Sequence, residues 1–121
     1  MSNKTGADLI EEARGRIEEV TPAEVAAMRE RGDPAVYLDV REPNEWNLGR
    51  IPGAVFLPRG QLESKVEDVA PRDARVIVYC AGGNRSALAA DTMRQMSCWD
   101  LRTVVNGRPM SAGRRFNPRI W

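Results

Sequence analysis

Histidine is absent from all 121 residues. That removes the Cys-His nucleophile pair, the Ser-His-Asp triad and most zinc sites together, so any chemistry here must run without imidazole. Cysteine is scarce: there are two, Cys80 and Cys98, eighteen positions apart, a spacing that matches no metal-ligand motif. A helix of about twelve residues is expected between them and would span on the order of 18 Å. A disulfide needs Cα atoms within about 7 Å, so the two thiols are read as unpaired, and reduced thiols suit a reducing compartment. Long apolar runs are missing as well. Nothing approaches the ~20 apolar residues of a membrane span, and the N-terminal MSNKTGADLIEEARGR lacks the apolar centre of a signal peptide. A soluble, cytoplasmic protein with no membrane partner is expected. Neither sign of charge dominates: 18 basic and 17 acidic side chains leave a formal charge of +1, which gives no argument for a nucleic-acid partner.

What is present alternates between strand-like and helix-like segments, without repeats. Residues 7–14 read as a short, polar, peripheral helix, and residues 17–20 as a short strand. In Thr21-Pro22-Ala23-Glu24, Thr caps, Pro takes the first helical position and Glu completes a capping box. The helix that follows turns Val25 and Met28 inward and stops at Gly32-Asp33-Pro34. Residues 36–40 read as a buried strand with the acidic Asp39 near its end. Pro43 opens a single helical turn that Gly49 closes, and Ile51-Pro52-Gly53-Ala54 turns into a short strand through Phe56. Leu62, Val66 and Val69 carry helical spacing, and residues 101–105 form a last strand. Strands alternating with helices imply a mostly parallel sheet covered on both faces, a small α/β sandwich.

The chemistry concentrates in residues 75–90, RVIVYCAGGNRSALAA. Val76-Ile77-Val78-Tyr79 fits a buried strand, and Cys80 stands where it stops. The loop Cys80-Ala81-Gly82-Gly83-Asn84-Arg85 then leads into a helix with Ser86 as its candidate N-cap and Ala89, Met93 and Met96 on one face. Its glycines allow backbone amides to converge on one point near a helix start, an arrangement that binds anions. Ligands of open parallel sheets bind beyond the carboxyl ends of the strands, where Cys80 lies. A free cysteine is usually a core residue, but glycines, a basic residue and a helix N-terminus together favour the reactive thiolate.

Cys80-x-x-Gly83-x-Arg85-Ser86 follows an apolar strand. Upstream, in order, stand Leu38-Asp39-Val40-Arg41-Glu42 and Gly49-Arg50-Ile51-Pro52-Gly53-Ala54. This set of motifs resembles the single-domain rhodaneses, over roughly residues 17–105. The resemblance implies a three-layer α/β sandwich around a mostly parallel five-stranded sheet. Residues 1–16 would be an extension or peripheral helix, 17–116 the rhodanese-like domain and 117–121 a tail.

It also implies a sulfurtransferase that takes a sulfane sulfur from a small anionic donor, thiosulfate or a persulfide. Cys80 would carry it as a persulfide to cyanide, a thiol or a protein acceptor, without cofactor or metal. Amides of Ala81, Gly82, Gly83, Asn84, Arg85 and Ser86 would bind the donor and the anionic persulfide. Arg85 has two roles open to it, attracting the donor or holding the loop's carbonyls. Asp39 and Arg41 are read as a polar pair supporting the ends of neighbouring strands. Glu45 and Trp46 are assigned to packing and surface, and Cys98 to no role.

Two other readings stand beside this one: a rhodanese-like binding module without turnover, and cysteine phosphatase or arsenate reductase chemistry. Phosphatases of similar layout place five residues between cysteine and arginine, whereas Cys80 and Arg85 enclose four. The chain departs from the family at Arg50, where histidine is usual. It departs again near the C-terminus, where Asn106-Gly107-Arg108-Pro109 replaces a Gly-Gly pair, and the basic segment 108–121 has no assigned role.

Overall fold

The computed structural model describes residues 3–96 and 99–105. The expectations for Cys98 and for segment 108–121 lie outside the described residues.

The apolar segments assemble into a five-stranded sheet of order β1-β5-β4-β2-β3, and each of its pairings is parallel. The strands are β1 (Glu19–Val20), β2 (Val36–Asp39), β3 (Val55–Phe56), β4 (Arg75–Tyr79) and β5 (Asp100–Val104). The helices are α1 (Gly6–Arg16), α2 (Pro22–Arg31), α3 (Pro43–Leu48), α4 (Leu62–Val69) and α5 (Asn84–Met96). This is the expected α/β sandwich.

β4 is central because it is apolar on both faces: Val76, Ile77, Val78 and Tyr79 are fully buried. Side chains alternate across a strand, and the core divides accordingly. Val76, Val78 and Cys80 join Leu62, Val66, Ala89, Ala90 and Met93 on the α4 and α5 side. Ile77 and Tyr79 join Val25, Met28 and Tyr37 on the α2 side. The register Leu38↔Val78↔Thr103 places the ends of β2, β4 and β5 level, so the segments leaving them meet at one edge.

Local signals account for the helix ends. Thr21 Oγ1 accepts the Glu24 N–H at 3.1 Å, and Glu24 accepts the Thr21 N–H at 3.0 Å. Gly32 ends α2 at φ +73°, where a side chain would be strained. α1 extends beyond the expected residues 7–14 and lies against α5, with Ala13 buried and Arg16 bonded twice to Asp91 at 2.9 and 2.8 Å.

One expectation is corrected. Ser86 is not the N-cap of α5, because the helix starts two residues earlier, at Asn84. Ser86 sits buried in the first turn, its N–H turned back to the Cys80 sulfur at 3.3 Å and its hydroxyl donating to the Gly83 carbonyl at 3.2 Å.

Candidate active site

Cys80 follows the last residue of β4 and is 1% exposed. A buried thiol needs partners for its sulfur, and here backbone supplies them: the N–H groups of Gly83 and Ser86 donate to Sγ at 3.1 and 3.3 Å. Gly83 achieves this at φ +90°, a conformation that side chains rarely adopt. Convergent amides of this kind stabilise negative charge on an acceptor.

Hydroxyls extend the shell. The Cys80 thiol lies 3.5 Å from Ser86 Oγ, which also accepts the Thr103 hydroxyl of β5 at 2.9 Å. Ser86 and Thr103 are both buried. Thr103 was not singled out from the sequence, where it reads as an ordinary strand residue. Only the parallel register of β4 and β5 brings it level with the loop.

The loop's outer face is open: Ala81, Gly82 and Asn84 are exposed and Arg85 is half-buried. Arg85 donates to both oxygens of Glu45 on α3, at 2.7 and 3.0 Å. That bond, opposed in part by burial and aided by the Glu42 N–H, holds the Glu45 carboxyl down to about 2. Glu45 therefore belongs to the site as the partner of Arg85. Its place three residues after Glu42, where it accepts that N–H at 3.0 Å, is the signal that a first-turn carboxylate was fixed there.

Asp39 and Arg41 lie behind this rim, both buried. Arg41 Nε and Nη2 bond the Asp39 carboxylate at 2.9 and 2.7 Å, and Nη2 also donates to the Gly49 carbonyl at 2.6 Å. The Ile51 N–H donates to the Tyr79 hydroxyl at 3.2 Å, and burial followed by the Asp39 charge pushes that phenol up. These contacts fasten the turn that follows α3 to the ends of β2 and β4. Arg50, the position where histidine is usual, stacks over Trp46 at 4.2 Å, and Trp46 stacks on Phe56 with ring centres 4.9 Å apart.

Of residues 81–86, Gly83 and Ser86 place their amides on the Cys80 sulfur, Ala81, Gly82 and Asn84 are exposed, and Arg85 is turned to Glu45, with Asp39 and Arg41 in a supporting position behind them. The arrangement can hold an anionic sulfur on two amides, with the Arg85 cation paired to Glu45 at the rim. Among the described residues no group of acidic or cysteine side chains could hold a metal ion, and no helix is long and apolar enough to cross a membrane.

Comparison with known proteins gives a consistent picture. The chain is 32% identical over 90 residues, 73% of its length, to the probable adenylyltransferase/sulfurtransferase MoeZ of Mycobacterium tuberculosis, of which that match covers 23%. Curated relatives of this kind are matched over between about a quarter and a little over half of their own length. Among solved structures, a protein of unknown function from Rhodopseudomonas palustris, described as a possible tyrosine phosphatase, superposes with TM-score 0.78 at 32% identity over 89% of both chains. The human single-domain sulfurtransferase superposes with TM-score 0.64 over 76% of this chain and 92% of that one, a likeness of fold at 22% identity. A family model for the rhodanese-like domain matches residues 21–108, and the chain belongs to that family.

Proposed function

We propose that this protein is a sulfurtransferase that carries a sulfane sulfur as a persulfide on Cys80. The observation that carries the reading is the buried Cys80 sulfur held by the Gly83 and Ser86 amides at the end of the central strand. In the first half-reaction the Cys80 thiolate attacks the outer sulfur of thiosulfate, the S–S bond of the donor breaks, and sulfite leaves with the bonding pair. Cys80 then bears S–S⁻, and the charge that was on Sγ moves one atom outward. In the second, cyanide or a thiolate attacks that outer sulfur, and thiocyanate or a new persulfide leaves with Cys80 restored as thiolate. No proton transfer is needed, because the thiolate attacks sulfur directly, which is how the site does without histidine.

The Gly83 and Ser86 amides serve both stages, since the sulfur they hold is anionic or bonded to an anionic sulfur throughout. The sulfurtransferase name of MoeZ supports the reading. With its two cysteines read as unpaired from their spacing in the sequence, we propose a reducing, cytoplasmic location.

A second reading, phosphate-ester hydrolysis, is favoured by the description of the Rhodopseudomonas palustris structure. Against it stands the ring of four residues between Cys80 and Arg85 and the engagement of Arg85 by Glu45. Intact mass decides. Incubation with thiosulfate is expected to add one sulfur that cyanide removes, and Cys80→Ala is expected to add none. Absence of that gain with thiosulfate, persulfides and mercaptopyruvate alike overturns the proposal in favour of a binding module. Hydrolysis of an aryl phosphate that depends on Cys80 establishes the second reading.

A further inference from the structure

A second arginine reaches the sulfur loop, and it comes from α1, ahead of the segment that matches the family. We propose that Arg14 is a positioning residue that holds Gly83 and Asn84 so that the Gly83 N–H stays on the Cys80 sulfur. This rests on the reading of the loop as the sulfur-carrying site.

The geometry is specific. The Arg14 side chain is 11% exposed although its helix is largely polar, and its Nε is anchored to Glu19 on β1 at 3.2 Å. From that anchor Nη1 reaches the side-chain oxygen of Asn84 at 3.5 Å. Nη2 lies 3.5 Å from the point a Cβ on Gly83 would occupy, and the Val104 carbonyl lies 3.5 Å from the same point. The Arg14 guanidinium and the Val104 carbonyl thus flank Gly83, and the hydrogen bond from Arg14 falls on its neighbour Asn84.

The Gly83 carbonyl accepts the Ser86 hydroxyl and the Ala87 N–H, both at 3.2 Å, and Arg14 adds a hold on the exposed neighbour Asn84. The residue that must be fixed is the one at φ +90° that gives its N–H to Sγ at 3.1 Å. An N–H bond to an anionic acceptor weakens steeply with distance and angle, so a small drift of Gly83 is felt at the sulfur.

The other charged groups near this edge are already engaged. Arg85 of α5 pairs with Glu45 of α3, and Arg41 with Asp39 at the end of β2. On α1 itself, Glu11 lines a cavity with Arg14 and Glu19, while Arg16 is drawn away to Asp91. Arg14 is thus the α1 side chain whose guanidinium meets the loop.

The test is the pH profile of Cys80 alkylation by iodoacetamide, followed by peptide mass in wild type, Arg14→Ala, Arg14→Lys and Arg16→Ala. It uses no sulfur donor, so it can succeed or fail independently of the sulfurtransferase reading. Arg14→Ala is expected to slow alkylation at neutral pH about tenfold, the order of effect of losing a bond to a charged acceptor. Arg14→Lys is expected to recover part of the rate, because it keeps the charge without the two-pronged reach. Arg16→Ala, which loosens the same helix on α5 without touching the loop, is expected to match wild type. A wild-type profile in Arg14→Ala overturns the proposal. So does an equal effect in Arg16→Ala, which would assign the result to helix docking. Should Arg14→Ala fail to fold, Arg14→Gln is read against the same two outcomes.

Discussion

Arg85 and Glu45, forty residues apart, are joined by two parallel hydrogen bonds of 2.7 and 3.0 Å. The cation that marks the loop in the sequence is therefore balanced by a carboxylate on α3, and the loop is tied to that helix. Arg–carboxylate pairs of this two-pronged kind are geometrically demanding, so neither side chain is free to serve the donor without loosening the other.

Donor kinetics should report this balance. Glu45→Gln leaves Arg85 without its counter-charge at the rim, and KM for thiosulfate, a dianion, is expected to fall a few-fold with a steeper dependence on salt. Arg85→Ala leaves Glu45 facing the same anion, and KM is expected to rise while kcat changes less. Equal falls in kcat with KM unmoved in both variants would show instead that the pair only holds the loop.

The same pair predicts an acid response. The Arg85 hydrogen bond keeps the Glu45 carboxyl at about 2 in the folded protein, against an ordinary value of 4.5. Its stabilisation is complete above about pH 4.5 and is lost as pH falls toward 2, because the unfolded chain takes up the proton first. With the two side chains 35% and 27% exposed, solvent screening limits the contribution to roughly 1 kcal/mol. Urea unfolding at pH 5 and pH 3 should show wild type losing about 0.5 kcal/mol more than Glu45→Gln, roughly half of the whole contribution, over that interval. Asp91 and Asp100, also lowered by arginine partners, titrate in both proteins and cancel in the difference. Identical losses would contradict the shift.

The strands, their parallel pairing and the position of Cys80 were legible because apolar runs, caps and glycines act locally. Val76 to Tyr79 can be read as a central strand since burial on both faces leaves no polar alternation. The start of α5 was misplaced because Ser86 has the chemistry of an N-cap, while its role in the fold is set by a sulfur six residues back and a hydroxyl on β5. Arg14 and Thr103 are not singled out by the sequence for the same reason: each reaches the loop through packing between elements distant in sequence. The sequence assigns Glu45 to packing and surface because its spacing from Glu42 fixes it in a first turn without showing that Arg85 lies opposite. Arg50 was visible as a departure, but its stacking on Trp46 depends on how the turn after α3 folds back.

Asp39 and Arg41 carry a stability prediction. The Asp39 side chain is fully buried and that of Arg41 is 5% exposed, so removing the carboxylate strands a guanidinium that cannot lose its charge. Asp39→Ala is expected to cost about 3–5 kcal/mol in urea unfolding. The double variant Asp39→Leu with Arg41→Met, which removes both charges, is expected to cost less than that single change. A single-variant loss under about 1 kcal/mol would mean that water or a rearranged partner takes over the role of Asp39.

Ser86 and Thr103 separate donation to sulfur from support of the donor. Thr103 gives its proton to Ser86 Oγ at 2.9 Å, and Ser86 gives its own to the Gly83 carbonyl at 3.2 Å, with Sγ 3.5 Å away. A hydroxyl has one proton and two lone pairs, so with a neutral thiol the S–H faces Ser86 Oγ. An anionic sulfur is expected to draw the Ser86 O–H from Gly83 to Sγ, with the Thr103 bond kept in both states. Ser86→Ala removes the turning proton, and sulfur uptake from thiosulfate is expected to slow about tenfold, the order of one bond to a charged acceptor. Thr103→Val removes only the support: it should cost about 1 kcal/mol of stability and leave the uptake rate within about threefold of wild type. If Thr103→Val slows uptake as much as Ser86→Ala, the Thr103 proton governs the Ser86 orientation and the hydroxyls act as one unit. If neither slows it, the Gly83 and Ser86 amides alone hold the anionic sulfur.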